Sequence, residues 1–158
     1  MTKAMFGAGC FWGVEQAFRA INGVLDTSVG YTGGIKDAPT YQDVCTGTTG
    51  HAEVVEVTFD PNIVAYEDLL LTFWTCHNPT QVNRQGPDIG TQYRSAIFYY
   101  DESQRLAAQS SKSAADASGR HDRPIATEIS PAPKFWRAED YHQRYFEKQG
   151  ITTCPIDG

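Results

Sequence analysis

Cys10 sits between the small-residue turn "GAG" at 7–9 and an apolar helical pattern, with Phe11 and Trp12 directly after it. Unpaired N–H groups and the helix dipole at such a junction stabilise a thiolate, the nucleophilic form of the residue. Read as packing alone, Cys10 is a small buried hydrophobe, and the two aromatics are core. Read as chemistry, the aromatics wall an apolar pocket beside the thiol. A second group of interest is Glu53. In "HAEVVEVTFDP" the alternation puts His51, Glu53, Val55, Val57 and Phe59 on one strand face, and Ala52, Val54, Glu56 and Thr58 on the other. The first row is the more apolar and is expected to face the core, with a carboxyl at its end. Burial disfavours the charged form, so such a group can keep its proton near neutrality and act as an acid.

The elements that must position these groups follow from periodicity. A short strand over 4–8 precedes a helix whose stripe is Val14, Ala17, Phe18 and Ile21, stopped at Asn22-Gly23. Strands are expected over 24–31 and 51–59, separated by a loop at 32–50 long enough to suspect function. Tyr66, Leu69, Leu70, Phe73, Trp74 and His77 mark a second amphipathic helix, in which Phe73 and Trp74 read as core. A polar loop at 78–93, a strand at 94–100, a helix at 102–118, a strand at 125–130 and a last helix at 138–148 complete the order. This is an α+β pattern, the split βαβ arrangement of a two-layer ferredoxin-like sheet with helices on one side and a C-terminal extension. The reading divides the chain into one catalytic domain, 1–149, and a flexible tail, 150–158.

Length and composition exclude several classes. The 158 residues suit one domain with one core. A net charge of -6 argues against nucleic acid or an anionic membrane surface as partner. No apolar run reaches the length of a membrane span, and the stretch before Cys10 is too short for a lipoprotein signal. The four cysteines, at 10, 45, 76 and 154, show no metal-finger spacing, so a reduced cytoplasmic protein is the expectation. Taken singly, Cys45 reads as a buried structural thiol, Cys76 as core and His142 as a helix-surface histidine.

"GCFWGVE" at 9–15, "GYTGG" at 30–34, "PTYQDVC" at 39–45, "GHAE" at 50–53, "GTQYRSAIF" at 90–98 and "AEDYHQRY" at 138–145 together resemble the A-type peptide-methionine sulfoxide reductases. The resemblance spans essentially the whole chain, in order. It implies that Cys10 is the nucleophile, that Phe11 and Trp12 take the methyl group, and that Glu53 protonates the sulfoxide oxygen. By the same resemblance Tyr41 and Tyr93 hydrogen-bond that oxygen, and Asp88 holds the substrate backbone. Attack would leave Cys10 as a sulfenic acid, the first step of thiol oxidation. Many relatives carry two recycling cysteines near the C-terminus and this chain one, which makes Cys154 the expected resolving thiol. The implied product is a Cys10–Cys154 disulfide reduced by thioredoxin, or by dithiothreitol in vitro. No bound cofactor or metal is expected. The partners implied are thioredoxin and oxidised proteins or free methionine sulfoxide, with the enzyme a monomer. Two rivals remain open. One pairs Cys10 with His51 or His142 for acyl transfer, with Asp88 orienting. The other is a non-catalytic module that binds peptide methionines.

Overall fold

The computed structural model describes residues 2–148, so Cys154 and the expected tail lie outside the described residues. Strand β1 (Thr2–Ala8) runs into helix α1 (Phe11–Arg19), followed by β2 (Val24–Thr32), a short α2 (Tyr41–Cys45), β3 (Ala52–Phe59) and α3 (Tyr66–Thr75). A small hairpin, β4 (Arg84–Gln85) and β5 (Asp88–Ile89), precedes β6 (Ser95–Tyr99) and α4 (Glu102–Ala117). Strands β7 (Glu128–Pro131) and β8 (Trp136–Arg137) and the short helix α5 (Tyr145–Lys148) close the described chain.

The six-stranded sheet has the order β7-β6-β1-β3-β2-β8. Its four central strands are mutually antiparallel in the order expected of a split βαβ sheet. The C-terminal extension widens it on both edges, with β7 parallel to β6 and β8 antiparallel to β2.

Strand alternation explains where Glu53 points. Val55, Val57 and Phe59 of β3 join Phe6, Phe11, Phe18, Leu69, Leu70 and Phe73 in the main core, on the helix-covered face. Ala52 and Val54 pack on the opposite face with Met5, Ala96 and Phe98, under Ala132 and Phe135. Glu53 shares the parity of Val55 and Val57, and it is 1 % exposed.

Three differences from the sequence reading bear on the site. Helix α1 starts at Phe11, ahead of the stripe that begins at Val14, because Phe11 is itself buried in the core and its amide is held by Glu53. The loop at 32–50 contains α2, whose start is fixed by a reciprocal Thr40–Asp43 capping box. The expected helix at 138–148 is broken into a 3-10 turn (Asp140–His142) and α5, with Arg144 between them at φ 53°. Tertiary hydrogen bonds outweigh helix propensity there. The Gln143 side chain accepts from Val29 N at 2.8 Å and donates to Val29 O and Ala138 O, each at 2.9 Å.

Candidate active site

Gly9 makes the sharp entry to α1: it sits at φ 95°, and a Cβ there would meet the Gln85 side chain at 2.8 Å. Cys10 follows as the N-cap residue, half-buried. The first-turn amides are engaged by side chains of the site. Phe11 N donates to Glu53 Oε1 at 3.2 Å, while the Trp12 and Gly13 amides hydrogen-bond the Cys10 thiol and lower its proton affinity. The expectation that this terminus yields a thiolate meets a larger opposing effect. Burial first, and then the charges of Glu53 and Asp88, push the Cys10 thiol up to about 12. The resting sulfur thus carries its proton.

Glu53 is the converse case. Burial, with a smaller contribution from Asp88, raises its carboxyl to about 8, against the pull of the Phe11 amide. Its Oε2 is buried and has no hydrogen-bond partner. A carboxylic proton on that oxygen is a donor without an acceptor.

The other expected residues gather around this pair. Tyr41 opens α2, and its ring lies 6.4 Å from those of both Phe11 and Trp12. Tyr93 ends a 3-10 turn, and its phenol is raised by burial, then by Glu53, Cys45, Asp88 and Cys10. Burial likewise raises Tyr41, helped by a hydrogen bond to Cys45 and by the charge of Glu53. Asp88, on the β4–β5 hairpin, is close enough to act on Cys10, Glu53 and Tyr93 alike. All the expected site residues within the described chain therefore meet in one place.

Two histidine expectations and one cysteine expectation need correction. His142 is not on a helix surface: it is 0 % exposed, and its Nδ1 accepts from Trp12 Nε1 at 2.9 Å. Its own ring proton is then on Nε2, which is buried without a partner. His51 is also occupied, since its Nδ1 accepts from Gly34 N at 3.1 Å and its Nε2 donates to Lys36 O at 2.6 Å. Both candidate bases for acyl transfer are thus committed to other partners. Cys45 is exposed rather than buried, because it ends a short helix one turn from Tyr41. Cys76 caps α3 and packs against the core as expected.

Several site residues escaped the sequence reading. Tyr145 stacks on Trp12 with centroids 3.9 Å apart and planes at 12°. Glu139 accepts from Tyr31 Oη at 3.0 Å and from Tyr41 N at 3.1 Å, tying β2 to the start of α2. Glu15, 1 % exposed, accepts from Thr27 Oγ1 at 2.7 Å and Arg144 N at 2.6 Å. Their only signal was membership of the "GCFWGVE" and "AEDYHQRY" motifs.

No helix among the described residues is long and apolar enough to cross a membrane. A family model described as "Peptide methionine sulfoxide reductase" matches residues 2–157. The chain is 61 % identical to the peptide methionine sulfoxide reductase MsrA of Geobacter sulfurreducens over 154 residues, covering 98 % of this chain and 95 % of the relative. Reduced Mxr1 from Saccharomyces cerevisiae superposes with a TM-score of 0.89 at 36 % identity, covering 98 % of this chain and 89 % of that one. Mxr1 in complex with Trx2 matches at a TM-score of 0.61 and 22 % identity, over 91 % of this chain and 84 % of that one.

Proposed function

The chain belongs to the MsrA family of peptide methionine sulfoxide reductases, and from that premise we propose a role for each residue of the site in reducing methionine S-sulfoxide, free or in proteins. Phe11 and Trp12 seat the methyl group, and Asp88 holds the substrate backbone. The sulfoxide oxygen lies against Glu53 Oε2, with the Tyr41 and Tyr93 hydroxyls donating to it. Glu53 gives its proton to the oxygen as Cys10 sulfur attacks the substrate sulfur, and recovers a proton from the Cys10 thiol. The hydroxyl passes to Cys10, which is oxidised to the sulfenic acid as the sulfoxide is reduced to methionine. One observation carries this reading: Glu53, 1 % exposed and raised by burial to about 8, accepts from the Phe11 amide directly beside Cys10 at the start of α1 and keeps its proton at pH 7.

Recycling falls to Cys154, whose thiol displaces water from the Cys10 sulfenic acid to form a disulfide. Tyr145 already lies on Trp12, and the nine residues from Tyr145 to Cys154 reach up to about 30 Å when extended. Thioredoxin then reduces the disulfide in the cytoplasm; the complex of the relative Mxr1 with Trx2 supports that choice. The division of the chain into a catalytic domain, 1–149, and a tail, 150–158, belongs to the same proposal.

The test is dithiothreitol-driven reduction of the separate S and R epimers of a blocked methionine sulfoxide. Turnover of the S epimer alone is expected, because one pocket fixes methyl, oxygen and backbone together. Equal rates on both epimers would overturn the assignment of the pocket.

A further inference from the structure

Trp12 and Glu15 lie one turn apart on α1 and reach the same stretch of the C-terminal segment. Trp12 Nε1 donates to His142 at 2.9 Å, and the indole ring is covered by Tyr145 at 3.9 Å. Between those two contacts, Glu15 Oε1 accepts from the Arg144 amide at 2.6 Å, and its Oε2 accepts from Thr27 Oγ1 at 2.7 Å. A carboxyl 1 % exposed is costly to bury, and Glu15 has no part in the reduction itself. Arg144 adds a second cost, since φ 53° is a left-handed conformation that a side chain disfavours. Such a residue persists where its surroundings over-determine it. Here the amide of Arg144 is held by Glu15 while the Gln143 side chain bonds to Val29 on both N and O.

We propose that Glu15 is a positioning residue for the sulfoxide pocket: through the Arg144 amide it fixes the turn that holds His142 and Tyr145 against Trp12. It acts on substrate through that wall and touches none of the reacting atoms. This rests on Phe11 and Trp12 forming the methyl pocket.

The experiment is steady-state reduction of a blocked methionine S-sulfoxide with dithiothreitol, in the full chain. Glu15→Ala removes the acceptor for Arg144, and KM is expected to rise about tenfold, the order of one buried hydrogen bond to a charged or strongly polar group. The maximal rate should stay within about threefold, since the acid and the thiol are untouched. Glu15→Gln keeps a carbonyl oxygen for the Arg144 amide and should restore KM to that of the parent. Thr27→Val removes the other bond to Glu15 and should lower thermal stability while leaving KM unchanged. Should Glu15→Ala not fold, Glu15→Asp withdraws the oxygen from the amide and carries the same expectation. An unchanged KM in the Ala or Asp variant, or an equal rise in Thr27→Val, means that Glu15 merely holds the fold, and the proposal falls. A parent chain with no sulfoxide reduction would instead overturn the functional reading on which the pocket rests.

Discussion

Keeping Glu53 protonated has a thermodynamic cost that can be measured apart from catalysis. Its carboxyl moves from an ordinary 4.5 to about 8 on folding, with burial the leading cause. The folded state therefore holds a proton that the unfolded chain releases, and stability falls as pH rises. The contribution is fully present below about pH 4.5 and is lost progressively as pH climbs through about 8. At pH 7 the cost amounts to roughly 3 kcal/mol, on the scale of about 1.4 kcal/mol for each tenfold change in proton affinity. With the residue 1 % exposed, solvent screening does not reduce that figure appreciably. Glu53→Gln keeps the oxygen that accepts from Phe11 and removes the titration. Urea unfolding of parent and variant at pH 5 and pH 8 should show the parent losing roughly 3 kcal/mol more than the variant across that interval. Glu15 is also raised by burial, but it is common to both proteins and cancels in the comparison. The same variant should slow single-turnover methionine formation by roughly 10²–10⁴-fold, the usual worth of a positioned general acid. Parallel stability curves for the two proteins would refute the claim that Glu53 is held neutral. A single-turnover rate near that of the parent would refute its use as the acid.

Cys10→Ser is expected to form no methionine, whereas Cys154→Ser should release about one equivalent per enzyme and then stall with thioredoxin, as read by quenched flow and mass spectrometry. The absence of a burst in Cys154→Ser, or normal cycling with thioredoxin, would remove the tail from the scheme. His142→Phe deletes the acceptor for the Trp12 indole N–H and should raise KM for the sulfoxide by roughly tenfold; titration calorimetry giving an unchanged affinity would count against it.

Cys10 and Glu53 were legible because their placement depends on short-range rules. A strand-to-helix junction is visible in a dozen residues, and the parity of β3 needs only the alternation of its own side chains. The protonation state of Cys10 was not legible. Helix-terminus amides do lower its proton affinity, but the depth of burial and the nearness of Glu53, contributed from another strand, decide the sign. The C-terminal wall failed for the same reason. "AEDYHQRY" has the spacing of a helix, and a helix would leave His142 outside. Its actual course is set by bonds across more than a hundred residues: Trp12 to His142, Gln143 to Val29, Glu15 to Arg144. Each of those bonds depends on a polar side chain (His142, Gln143 or Glu15) that local patterning assigns to solvent. Buried polar groups are mostly paired, and the choice of partner is a property of the packed fold. The α1 motif therefore carries more than the proposed nucleophile. Within one and a half turns it offers the thiol and the indole of the proposed site, an amide bonded to Glu53 and a carboxyl bonded to the Arg144 amide beside that indole's partners.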